Sequence, residues 1–169
     1  MLRAGLRFSL SALHRCLLQY LGLAITQISP NAWRVFLGME VLYGVLSNGV
    51  HRMTMEEFFH CYRPSEITQS RGMYSFLPRS QSLRLVCETP NSNNNWKSRY
   101  FFIQGDDWMC HSDDQEYMLV DKTWGIMPSS GRCPFCLDLF FFTCFISYFN
   151  RLLLQLGITQ KSLLSSGAS

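Results

Sequence analysis

Apolar residues in the first third of the chain recur at three- and four-residue steps, and beyond Pro64 the pattern breaks into short runs. Leu10, Leu13, Leu17, Leu18 and Leu21 share one face of a helix, with Ser9 placed to cap its start and Gly22 to end it. Ser29-Pro30 marks a second helix, because a Ser hydroxyl accepts from exposed amides while Pro at the first helical position has no N–H to leave unpaired. Trp33, Phe36, Leu37, Val41 and Val45 are expected on its apolar face, with Asn48-Gly49 as its stop. Thr54 and Glu57 form a capping-box pattern that opens a short third helix, which must finish near Tyr62 because Pro64 forces its predecessor out of helical geometry.

The runs Met73–Leu77, Ser82–Cys87 and Arg99–Ile103 predict strands, divided by Pro78-Arg79-Ser80-Gln81 and by the turn Asn91-Ser92-Asn93-Asn94-Asn95. Residues Gln115 to Val120 are placed to add an edge strand. Tandem strands without intervening helices pair antiparallel. The fold expected is therefore α+β, three N-terminal helices packed on a small antiparallel β-meander, followed by an apolar C-terminal tail. Ser165 to Ser169 are small and polar and predict a disordered end.

Two local sequences carry a resemblance. Pro30-Asn31-Ala32-Trp33-Arg34 precedes Trp96-Lys97-Ser98-Arg99-Tyr100-Phe101-Phe102-Ile103, and ahead of both stand Gly5-Leu6-Arg7-Phe8 and Leu21-Gly22. In that order, with the Asn-rich turn before the aromatic strand, they resemble the gypsy-type transposon domain of plant retrotransposon-related, gag-like proteins. The likeness covers residues 5–127 and leaves 128–169 as a Phe-rich tail outside the domain. It implies a noncatalytic domain whose activity is protein interaction or assembly, with an unknown partner or with further copies of itself. It also keeps a gag-like RNA- or DNA-binding module in view. Family proteins continue into a long charged region that this chain lacks, and the likeness starts within a few residues of Met1, so both ends read as those of a fragment. The tail itself reads as translated intron sequence, since Phe runs come from T-rich codons.

A net charge of +3 is unevenly spread. No acidic residue precedes Glu40, whereas Asp106, Asp107, Asp113, Asp114, Glu116 and Asp121 crowd together. Arg63, Arg71, Arg79, Arg84, Lys97 and Arg99 form a basic stretch that suits either a solvated face or a nucleic-acid surface. Seven cysteines with no secretory signal ahead of them imply reduced thiols and an intracellular location, nucleus or cytoplasm. Arg3, Arg7 and Arg15 with Ser9 and Ser11 would also suit a mitochondrial targeting helix, although the family likeness makes that segment part of the domain.

No catalytic, cofactor-binding or metal-binding residue is assigned, no cofactor is expected, and the chain is not expected to be an enzyme. Cys133-Pro134-Phe135-Cys136 has redox spacing but no strand of a βαβ unit leading into it. With Cys110 and His111 it would offer four zinc ligands, yet adjacent side chains diverge on most backbones. A two-metal nuclease needs carboxylates spread over several strands, and here they lie together. His14, His51 and His60 have no Ser or Cys partner legible in the sequence. Trp96, Tyr100 and Phe102 beside Lys97 and Arg99 fit a core-facing strand, or a base-stacking platform. Residues 137–158 reach membrane-spanning length only by including Asp138, Asn150, Arg151 and Gln155, which leaves membrane attachment as an alternative.

Overall fold

A computed structural model of the chain describes residues 2–87, 89–90, 102–103, 120 and 122–127. The chain divides into two units, Met1–Ser130 and Gly131–Ser169, and the described residues all fall in the first. Three helices, α1 (Ala12–Leu21), α2 (Pro30–Leu46) and α3 (Met55–Cys61), precede an antiparallel hairpin of β1 (Tyr62–Ile67) and β2 (Ser70–Pro78). Single 3-10 turns lie at Leu2–Ala4, Ile25–Gln27 and Gln81–Leu83. The fold is α+β, with the helices N-terminal to the sheet.

Helix ends follow the local chemistry. Ser11, not Ser9, caps α1: its hydroxyl accepts from the His14 amide, and Gly22 closes the helix in the left-handed conformation at φ 61°. Ser29 caps α2 by accepting from Ala32, with Pro30 first in the helix. In α3 the Thr54 hydroxyl accepts from the Glu57 amide while the Glu57 carboxylate accepts from Thr54, 3.2 and 2.7 Å. Caps of this kind contribute about 1 kcal/mol each. At the other end of α3, Arg79 donates through Nε to the Phe59 carbonyl at 2.7 Å and through its backbone N–H to the Cys61 carbonyl at 2.9 Å, placing a cation on the helix C-terminus.

The sheet differs from the expected meander. Met73 to Leu77 lies in β2, but its partner is Tyr62–Ile67, immediately after α3, in the register Tyr62↔Pro78 to Glu66↔Tyr74. Pro64 is tolerated there because a two-stranded sheet has only edges. Residues Gln81–Leu83 form a 3-10 turn instead of opening a strand, and Val86 packs on Gly38 of α2, where a Cβ would sit 3.0 Å from the Val86 methyl. Phe102 and Ile103 belong to no strand, and Phe102 is 92% exposed, so it is not part of the core. The proposed edge strand and the disordered end lie outside the described residues except for Val120, which is buried.

The core is an aromatic cluster centred on Phe58. Its ring meets Phe36 and Phe76 edge-on at 4.8 Å, Phe59 at 5.3 Å and Tyr62 in a stack at 5.6 Å. One residue each from α2, β1 and β2 thus closes on α3. Trp33 and Met39 extend the cluster along α2.

A second anchor ties a distant segment to this body. Gln27 is fully buried, and its amide makes four hydrogen bonds. Oε1 accepts from Ala24 and Gly125 amides, both at 2.9 Å, and Nε2 donates to the Gly72 and Gly125 carbonyls at 3.0 and 2.8 Å. Such an amide has four good hydrogen-bonding sites in reach, so the set is complete. Gly72, at φ 76°, lies beside the register shift after Glu66 and leaves room for the Trp124 ring, which a Cβ would meet at 3.2 Å.

Candidate functional site

Cys110, His111, Cys133 and Cys136, the acidic stretch from Asp106 through Asp121, Trp96, Lys97, Arg99 and Tyr100, and residues 137–158 all lie outside the described residues. Among the described residues no group of three His, Cys, Asp or Glu side chains is placed to hold a metal ion. Nor is any described helix long and apolar enough to cross a membrane. Cys61 and Cys87 are free thiols. Burial, reinforced by the nearby Glu57 carboxylate, pushes the Cys61 thiol up to about 12, so it is an inert core residue at neutral pH.

One polar constellation was not legible in the sequence because its members sit on different helices. His14, inside the first turn of α1, has Nδ1 2.6 Å from the Ser11 hydroxyl and Nε2 3.5 Å from the Glu40 carboxylate of α2. Hydroxyl, imidazole and carboxylate in line have the order of an activated nucleophile. Two features weigh against that chemistry. The Ser11 oxygen is engaged as the helix cap, accepting from the His14 amide. The imidazole, packed at 5.9 Å from Trp33 and 5.7 Å from Phe36, is lowered by burial to about 4. A base that weak stands far from the operating pH that efficient proton transfer requires.

The carboxylate at 3.5 Å favours an imidazolium and burial opposes it; burial wins, and it raises the Glu40 carboxyl too, against the pull of Arg52. The linkage has a definite sign. His14 is lowered from 6.5 to about 4, so it contributes stability that is present above pH 6.5 and is lost as pH falls through that window. Between pH 7 and 5 the protein is expected to lose about 2 kcal/mol of stability through this residue. Glu40 acts in the opposite direction nearer its own range, and His60, lowered by burial and then by Arg79, loses stability with the same sign as His14, so the His14→Phe comparison is what separates the two histidines. His14→Phe should flatten the loss in urea melts at pH 7, 6 and 5; an unchanged slope would show that another group carries it.

The remaining feature with functional character is the outer face of α2. Apolar residues surround this helix, so periodicity alone could not show which side is buried. Phe36, Met39 and Tyr43 turn inward, whereas Val41 and Val45, expected in the core, are 63% and 66% exposed. Between them Gly44 has open space where a Cβ would point, and Val50 beyond the helix end is exposed as well. Tyr43, on the inner side, has its hydroxyl pushed upward in pKa by burial first and by Glu57 and Cys61 after it, so it stays neutral. No protein-family model, no curated protein and no solved structure matches the chain.

Proposed function

We propose that the chain is a noncatalytic, retrotransposon-derived domain of the gypsy-type, gag-like kind whose activity is assembly with further copies of itself. The observation that carries the reading is the Val41–Gly44–Val45 face. A helix that spends two β-branched residues on solvent around a glycine presents an apolar patch where another helix can come close. A two-fold pairing places this same patch on both partners, so the patch needs no second surface to complement it. The weak basicity of His14 supports the noncatalytic half of the proposal.

The test is sedimentation of the full chain against the double variant V41E/V45E. Self-association is expected to weaken at least tenfold, with the circular dichroism spectrum unchanged, because neither side chain is in the core. Undiminished association in the variant would reject this face. If binding of a single-stranded oligonucleotide then fell steeply with added salt, the reading would pass to the nucleic-acid module. Arg63, Arg71 and Arg84, exposed on and after the hairpin, are the residues that favour it.

A further inference from the structure

The C-terminal end of α2 holds a residue pair with chemistry of its own. The helix closes in the pattern of a Schellman cap: the Asn48 amide donates to the Val45 carbonyl at 3.2 Å and the Gly49 amide to the Gly44 carbonyl at 2.8 Å. Asn48 takes the left-handed place in that cap, at φ 50°, where glycine is the usual occupant. Among the described residues no other non-glycine residue has a positive φ. Both Asn48 and Gly49 are exposed.

An asparagine followed by glycine can lose its side-chain amide without a catalyst. The Gly49 nitrogen gives up its proton and attacks Asn48 Cγ, closing a cyclic imide and expelling ammonia. Water then opens the ring at either carbonyl, leaving aspartate or its β-linked isomer, isoaspartate. Water is the sole co-reactant, and no electrons are exchanged. Glycine at the second position leaves the attacking nitrogen unhindered, and nothing lies within 4 Å of where a Cβ on Gly49 would point. One contact opposes the reaction, since the attacking nitrogen is the one bonded to Gly44. Conversion therefore proceeds when the last turn frays, and helix ends open at far less cost than a core.

The product falls on the surface proposed above for assembly. Asn48 is bonded to Val45, and Val50 follows two residues on, both valines being exposed. A carboxylate at this end of α2 meets the negative end of the helix dipole. It must also shed water before a second helix can lie against the patch. The isoaspartate product lengthens the backbone within the cap as well. We infer that Asn48-Gly49 is a self-modifying site whose conversion to aspartate or isoaspartate releases the α2 pairing. The effect on pairing rests on the assembly reading; the site itself does not. Pairing across Gly44 holds the last turn closed, so assembled chains convert more slowly than free ones.

The experiment ages the full chain in mildly alkaline buffer, locates new acid by mass spectrometry of its peptides, and follows self-association by sedimentation. Conversion is expected at Asn48, faster in dilute than in concentrated protein, with association weakened by roughly tenfold or more, the cost of burying an unpaired charge. Asn48→Gly keeps the cap and removes the amide, so it should associate like fresh wild type and keep doing so through the same incubation. Fresh Asn48→Asp should associate as weakly as aged wild type. An Asn48 amide that survives ageing overturns the inference, as does an Asn48→Gly chain that loses association at the wild-type rate. Association that ignores V41E/V45E defeats the assembly reading and the effect on pairing with it, whereas failure to convert at Asn48 leaves that reading standing.

Discussion

Phe58→Ala is expected to unfold much of the population near physiological temperature. Phe58 has no exposed surface, and its ring is the one that Phe36, Phe59, Tyr62 and Phe76 all meet. Truncation removes the ring's transfer free energy and leaves a cavity whose walls come from three elements that cannot all move inward. Losses of about 3–5 kcal/mol are typical of such changes, against a total stability of about 5–15 kcal/mol for a domain. The melting temperature should drop by roughly 10–20 °C. Phe58→Leu, which refills most of the volume, should cost much less, about 1–2 kcal/mol. Thermal melts followed by circular dichroism separate the outcomes. A drop for Phe58→Ala no larger than that for the exposed Val50→Ala would show that the aromatic cluster is not the core of this fold.

That core was half legible in the sequence. Helix ends rest on interactions within a few residues, which is why Ser29-Pro30, Thr54 with Glu57, and Gly22 appeared as signals and act as such in the structure. Strand β1 was not legible, since Tyr62-Arg63-Pro64-Ser65-Glu66-Ile67 has a proline, two charges and no alternation; it is a strand because β2 folds back on it. Context of this kind routinely overrides β-propensity. The orientation of α2 was lost for another reason. Val41 and Val45 are as apolar as the residues that are buried, and only the packing of Phe36 on Phe58 settles which side faces inward.

One of the sequences that carry the family resemblance, Pro30 to Arg34, also has structural duties. Pro30 starts α2, Asn31 holds the Pro90 carbonyl and accepts from Arg34 at 2.6 Å, and Trp33 is buried against His14. The pairing of His14 with Glu40, by contrast, spans two helices and leaves no trace in local spacing.

Gln27 is where the second large effect is expected. A buried, uncharged glutamine in a 3-10 turn gives no sequence signal, yet its side chain joins Ala24, Gly72 and Gly125. Gln27→Leu keeps the approximate volume and abandons all four bonds. Gly125 can recover its two from water if its segment lifts away, whereas the Ala24 amide stays buried, so a cost of about 2–4 kcal/mol is expected from groups left unpaired. Amide hydrogen exchange at Gly125 should speed up more than exchange in α3, because the Trp124-Gly125 segment opens before the aromatic cluster does.

Gln27→Glu is the more telling variant. It retains an acceptor for Ala24 and Gly125 but turns a donor into an acceptor facing the Gly72 and Gly125 carbonyls. Ionised, that carboxylate is buried against two carbonyl oxygens, so its pKa in the folded protein must rise above the unfolded value of about 4.3. A raised acid contributes stability that is present below its unfolded pKa and lost as pH rises through the folded one. The variant should therefore be most damaged at neutral pH and approach wild type in acid, where one hydroxyl can again donate. Because His14 weakens both proteins in acid, the quantity to follow is the difference between variant and wild type at each pH. A difference that stays flat from pH 7 to 4 would mean that the amide's donor half does not hold Gly72 and Gly125 together.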